Sequence, residues 1–149
     1  MAPDPTHGLL PAPDADSEPF WEGCAAGELR VQRCAACGRR RMPPRPMCPW
    51  CGSRDSRWEA TSGRGHIWSW VVAHPPLLAV YADQAPYNVV VVELDEDPSI
   101  RFVGNVVDDP DAALGAVDPA TLTIGQRVEV CFSAPVEGIA LPRWRRVPS

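Results

Sequence analysis

Apolar and polar residues alternate with a period of two through most of the second half of the chain. Five segments carry the pattern, "GHIWSWVVAH", "PYNVVVVELDE", "IRFVGNVV", "QRVEVCF" and "LPRWRRV", separated by clusters of Gly, Pro and Asp. Alternation of this kind puts every second side chain on one face of a strand, so it predicts five strands and a small barrel or sandwich beginning near Ser62. Upstream, "ELRVQR" sets Leu29, Val31 and Arg33 against Arg30 and Gln32, which predicts a further short strand. A helix is expected before it. Asp16 or Ser17 can cap it, Pro19 fits its first turn, Phe20, Trp21 and Cys24 form its apolar stripe, and Gly27 ends it. The first 15 residues, rich in Pro, Ala and Asp, read as a flexible lead. Among the later strands only "DDPDAALGAV" offers a helical piece, short and weak. The expected order is therefore a lead at 1–15, a helix at 16–28, a cysteine-bearing ribbon at 29–61 and a β domain at 62–149.

Composition supports a folded chain. A protein of 149 residues buries about 68–70% of the surface its unfolded chain exposes, enough for a real core. Its 18 Pro and 11 Gly residues stay below the share that marks disorder. No apolar run approaches the ~18 residues of a membrane span, and the opening "MAPDPTHGLLPAPDADSEPF" has neither the basic flank nor the apolar centre of a signal peptide. A cytoplasmic protein with no membrane partner is expected. All 14 basic residues are arginine, which removes Schiff-base and phosphate-loop lysines from consideration. The net charge of −5 is distributed in blocks: −6 over residues 1–29, +7 over 30–64, zero over 65–82, −8 over 83–118 and +2 over 119–149.

The basic block coincides with "CAACGRRRMPPRPMCPWCG", residues 34–52. Cys34 and Cys37 form one C-x-x-C pair and Cys48 and Cys51 another, ten residues apart, each followed by a glycine, Gly38 and Gly52. Two residues between thiolates let a tight turn aim both sulfurs at one ion while the turn's amides donate to them, and glycine permits the positive φ such a knuckle needs. Four sulfurs close a tetrahedral shell, so the pattern predicts structural zinc with no open position; iron in a rubredoxin-like site is the chemical alternative. Disulfides or four free core cysteines are the bland reading, disfavoured by the paired spacing and by a reducing cytosol. Cys24 and Cys131 fall outside the spacing and read as small buried hydrophobes.

Little in the β domain suggests catalysis. His66, Trp68, Trp70, Val72 and His74 occupy alternate positions of one strand, which invites base stacking, but aromatic residues in strands are more often core or interface. With three histidines, one of them in the lead, a nucleophilic triad has little support. The carboxylates of "ELDEDP" and "DDPDAALGAVDP" suit solvated turns. Arg39, Arg40, Arg41 and Arg45 lie between the knuckles, where guanidinium groups can meet phosphate bidentately or simply face solvent. Nucleic acid would supply phosphate, yet the acidic total and the −8 block of the β domain argue against it.

Taken together, "PDADSEPFWEGCAAGELRVQRCAACGRRRMPPRPMCPWCGS" followed by "SGRGHIWSWVVAH", "PYNVVVVELDE", "RFVGNVV", "IGQRVEV" and "LPRWRRV" resembles a known family from Pro13 onward. These are the zinc-ribbon OB-fold proteins, first catalogued as a domain of unknown function and later linked to acyl-CoA metabolism. The resemblance implies a mainly β protein with an N-terminal helical segment, a rubredoxin-like zinc ribbon and a five-stranded OB-fold barrel. It implies Cys34, Cys37, Cys48 and Cys51 as metal ligands and no catalytic residue. In that family the domain accompanies thiolase-like enzymes of the sterol carrier protein type, including steroid side-chain aldolases, or is fused to a MaoC-like enoyl-CoA hydratase. Some members help to receive the CoA part of the thioester. A separate, non-catalytic subunit in a hetero-oligomer is therefore expected, with Arg39, Arg40, Arg41 and Arg64 as candidate contacts to CoA phosphates or to the partner. A single-stranded nucleic-acid module and an independent CoA carrier are the rival readings.

Overall fold

A computed structural model describes residues 8–148; the first seven residues of the expected lead lie outside them. Helix α1, Glu18–Ala25, begins at Ser17 with Pro19 in its first turn. Ser17 occupies the N-cap but makes no side-chain cap bond to the helix. Its hydroxyl donates instead to Asp14 Oδ1 at 2.7 Å. Phe20 and Cys24 are buried along one side of α1, as the apolar stripe predicts.

Strands β1, Arg30–Cys34, β2, Arg40–Arg41, and β3, Ser56–Ala60, form an antiparallel sheet in the order β2-β1-β3. Only β1 was legible as a strand in the sequence. The second sheet runs β6-β5-β4-β7-β8, from β4, Arg64–Ala73, β5, Tyr87–Leu94, β6, Arg101–Gly104, β7, Arg127–Phe132, and β8, Pro142–Arg146. These are the five segments of period-two alternation. A parallel bridge between Val106 and Trp144 ties the chain beyond β6 to β8. Trp144 N donates to Asn105 O at 3.0 Å and Val107 N to Trp144 O at 2.8 Å. The sheet thereby curls into a partly open barrel whose two edges meet at this bridge.

Strand β5 alternates strictly, with Asn88, Val90, Val92 and Leu94 buried. Buried Asn88 donates from Nδ2 to Val106 O at 3.0 Å and accepts from Val106 N at 2.7 Å. It substitutes for a ladder partner where no neighbouring strand reaches, which is how an amide is accommodated in an apolar core. Strand β4 departs from expectation. A register shift between Ile67 and Ser69 places Trp68 in a bulge. Trp68 is exposed, whereas Trp70 packs against the core. The single face expected for His66, Trp68, Trp70, Val72 and His74 therefore does not exist, because one extra residue in a strand inverts the alternation beyond it. The piece expected around "DDPDAALGAV" is a 3-10 turn at Leu114–Ala116, and a short helix α2, Ala79–Ala82, had no sequence signal.

One apolar core joins the two sheets. Leu29 and Val31, at the root of the small sheet, belong to the same buried cluster as Ile67, Val90, Val92 and Trp144 of the barrel. Phe20 of α1 stacks on Phe102 of β6 with ring centroids 6.2 Å apart. Polar contacts add to this junction. The Glu59 carboxylate accepts from Arg40 at 2.7 Å and from Arg33 at 3.0 Å, while Arg40 reaches Asp97 of the β5–β6 turn at 3.7 Å. Ser62 donates to Glu96 of the same turn from its amide at 2.6 Å and its hydroxyl at 2.9 Å. No helix among the described residues is long and apolar enough to cross a membrane.

Candidate metal centre and basic face

Each cysteine pair sits in a tight turn. In one turn Gly38 N donates to Cys34 O at 3.0 Å, and in the other Gly52 N donates to Cys48 O at 2.9 Å. Gly38 and Gly52 share a φ of 75°, a left-handed value that costs glycine nothing and other residues strain. The turns face each other, so that Cys34, Cys37, Cys48 and Cys51 bring their sulfurs within 4.8 Å of one another. The pairs cross over: Cys34 Sγ lies 3.6 Å from Cys51 Sγ, and Cys37 Sγ 3.7 Å from Cys48 Sγ. A tetrahedral ZnS4 site with bonds of ~2.3 Å requires sulfur–sulfur edges of roughly 3.8 Å. The donor set and its spacing fit structural zinc. All six cysteines are free thiols, so the disulfide reading has no counterpart in the structure.

The cluster is also prepared for deprotonation. The amide of Cys37 donates to Cys34 Sγ at 3.4 Å, and this bond leads the causes that pull the Cys34 thiol down to about 6. Cys48 is lowered too, against the desolvation of its burial, by the amides of Cys51 and Trp50 and by its neighbouring thiols. Cys51 goes the other way: the amide of Ser53 favours its thiolate, but the other three sulfurs and burial push it up to about 11. Four sulfurs this close cannot all carry charge unaided, and a divalent cation resolves the conflict. Outside the cluster, burial raises Cys24 to about 12 and also raises Cys131. Both are buried, as small hydrophobes should be.

The arginines expected to face solvent do so only in part. Arg41 is 4% exposed; its Nε donates to Gln32 Oε1 at 2.6 Å and its Nη2 to Arg45 O at 3.2 Å. Arg40 is engaged by Glu59 and Asp97. Arg39 lies over the ring of exposed Trp50 at 5.3 Å. These three flank two adjoining cavities between the knuckles and the β5–β6 turn, of about 470 and 380 Å³. Arg64 opens β4 on the barrel and lines neither of them. Sequence reasoning missed Trp50, Gln32 and the β5–β6 turn as parts of this face. Trp50 had a signal, an aromatic residue inside a knuckle; the others depend on tertiary approach alone.

Residues 21–57 match the family model described as the ChsH2 rubredoxin-like zinc ribbon domain, and residues 58–133 match the ChsH2 C-terminal OB-fold domain. This chain belongs to the ChsH2 family. A ChsH2-type protein is thus a zinc ribbon followed by an OB-fold, and the present one has both with α1 in front. The "probable enoyl-CoA hydratase alpha subunit" of Thermomonospora curvata is 34% identical over 91% of this chain. The "3-oxo-4,17-pregnadiene-20-carboxyl-CoA hydratase alpha subunit" of Mycobacterium tuberculosis is 33% identical over 95% of it. The chain spans 39% of the length of each of those two relatives. A "DUF35 domain-containing scaffold protein" of Methanothermobacter thermautotrophicus is 35% identical over 70% of this chain and 71% of its own length. Among solved structures, "Ltp2-ChsH2(DUF35) aldolase" superposes with a TM-score of 0.76 at 34% identity, covering 92% of this chain and 98% of that one.

Proposed function

We propose that this chain is a non-catalytic accessory subunit that docks on a thiolase-like acyl-CoA enzyme, a steroid side-chain aldolase or thiolase, and supports its activity. The observation that carries the reading is the superposition on nearly the whole of a chain from an aldolase named for both Ltp2 and ChsH2. The scaffold name of an archaeal relative supports it. The zinc ligands in this reading are Cys34, Cys37, Cys48 and Cys51, which would hold the ion as a structural clip; the metal supplies rigidity and no reacting group.

The structure suggests how such a subunit could act. A barrel and a metal-locked ribbon that share one core present a fixed surface, and fixing a partner's loops in one geometry aids catalysis without donating a reacting group. Arg39 and Arg64, both near exposed surface, are the candidates for CoA phosphates. Arg40 and Arg41 are occupied in holding the ribbon together. The nucleic-acid reading is weakened by the same facts: guanidinium groups already paired with carboxylates release few counterions, and the aromatic face it needed is interrupted at Trp68.

The purified chain should turn over no CoA thioester, while co-expression with a thiolase-like aldolase subunit should give a complex that survives gel filtration. Failure of the two to co-purify, or turnover by the chain alone, would sink the proposal. Binding to single-stranded DNA with a steep salt dependence would favour the rival.

A further inference from the structure

Behind the inter-knuckle loop, the cavity of about 380 Å³ has an unusual lining. Its charged residues are Arg40, Arg41 and Arg45, with no carboxylate among the described residues that line it. Its apolar wall comes from Met42, Pro43, Pro49, Trp50 and Ile100. Two guanidinium nitrogens here, Arg40 Nε and Arg41 Nη1, are buried with no hydrogen-bond partner among the described residues. Arg41 is 96% buried by its 4% exposure, so its orphan donor carries the cost of desolvation with no return inside this chain. Arg45 contributes differently. Its backbone is fixed, with its amide donating to Gln32 Oε1 at 2.8 Å and its carbonyl accepting from Arg41, while its side chain remains exposed at the cavity.

We propose that this groove receives a carboxylate-bearing, extended segment of the partner enzyme, with an Asp or Glu side chain or a C-terminal carboxylate placed between Arg41 and Arg45 and its apolar neighbours against Trp50, Pro43 and Pro49. The proposal rests on the accessory-subunit reading and names what the ribbon side of that interface takes. Charge selects a carboxylate over a phosphate. Arg40 is already balanced by Glu59 and Asp97, and Arg41 spends Nε and Nη2 on Gln32 and Arg45. What remains is Arg45 and one edge of Arg41, a match for a single negative charge. A multiply charged phosphate would bring more negative charge than these two guanidinium groups are left to balance. The apolar wall points the same way, since flat proline and indole surfaces suit side chains and backbone of an extended peptide.

The absence of lysine from the chain supplies a test. In the complex of the full-length chain with its thiolase-like subunit, Arg45→Lys gives carbodiimide one side-chain amine to couple. Mass spectrometry should find an amide bond between position 45 and a partner carboxylate, whereas Arg54→Lys, outside the cavity, should give none. Arg45→Gln and Trp50→Ala, both at exposed positions, should each weaken the complex on the order of ten-fold with zinc content unchanged. Unaltered affinity in both variants with no cross-link at position 45 would overturn the groove assignment and leave the accessory reading standing. Perturbation of the Trp50 indole resonance by adenosine 3′,5′-bisphosphate, abolished by Arg45→Gln, would overturn it in favour of a nucleotide phosphate. A wild-type chain that forms no complex would remove both readings together.

Discussion

Removing the metal should unfold the chain from the ribbon tip and stop at the ribbon root. The tip, residues 35–55, is held by the four sulfurs and by little apolar burial of its own: Cys48 is its one buried hydrophobic side chain. Structural zinc contributes on the order of 10 kcal/mol to a site of this kind. A single buried aliphatic side chain contributes roughly 1.5–3 kcal/mol, so nothing in the tip can replace the ion. The root differs. Leu29 and Val31 are 2% and 0% exposed and belong to the barrel's core; together they hold β1 with about 3–6 kcal/mol that does not depend on zinc. Amide hydrogen exchange, read by mass spectrometry on zinc-loaded and chelator-stripped protein, separates these terms. Exchange should become fast across 35–55 after stripping and remain slow in β5 and in β1 at Val31. Cys48→Ser should reproduce the stripped pattern. Two results would refute the reasoning: a stripped chain whose tip amides remain protected, or a purified chain that contains no metal when assayed by plasma emission.

Other expectations follow from particular contacts. Trp144→Ala should cost about 3–5 kcal/mol in urea unfolding, because the side chain is 1% exposed and its backbone closes the barrel; a loss under 1 kcal/mol would contradict that placement. Asn88→Ala strands both backbone groups of Val106 and should cost about 1–3 kcal/mol, measured in the same way, with Asn88→Asp no better than Ala at neutral pH. Stability should also fall in acid. Arg40 holds Glu59 below its ordinary 4.5, and Arg127 holds Asp95 below its ordinary 3.8. The unfolded chain therefore binds protons first, so the stabilisation is complete above about pH 4.5 and is lost as pH drops through the lower folded values. A melting temperature that is flat or rising from pH 5 to 3 would exclude this. Glu59→Gln should remove the Glu59 share of that dependence and cost about 1–2 kcal/mol at neutral pH, more than an exposed pair, because it takes from Arg33 its carboxylate partner and from Arg40 the nearer of two.

What the sequence disclosed and what it withheld have a common physical cause. The five barrel strands and the metal cluster are encoded locally, by a two-residue alternation and by cysteine spacing, and each could be read without knowing what lies beside it. Strand β2 could not, since Arg40 and Arg41 form a strand only because Gln32 and Arg33 of β1 lie opposite them. The burial of Arg41 was likewise hidden, because Gln32 Oε1, which accepts from both Arg41 and Arg45, is nine residues upstream of Arg41 on another element. The bulge at Trp68 left no mark in the alternation itself. A stretch of "HIWSWVV" has apolar residues on both phases, so the period fits equally well on either side of the slip.

The same distinction bears on how a fold of this design is kept rigid. Metal, apolar core and polar contacts each fix a different part of the chain: the sulfurs hold the tip, Leu29 and Val31 hold the root, and Arg40 with Asp97 and Ser62 with Glu96 tie the ribbon and its hinge to the β5–β6 turn. Any one alone would leave a lever. Without the clamp on the β5–β6 turn the ribbon could pivot about residues 61–63, where Gly63 takes a φ of 69°; without the metal the tip would be loose on a fixed root. Because the basic groove is walled by residues of the tip and by Ile100 at the end of the turn, its width depends on all three constraints at once. A surface held this way pays its ordering entropy when the chain folds and loads its metal, so in the proposed complex little of that cost would be left for the moment of docking.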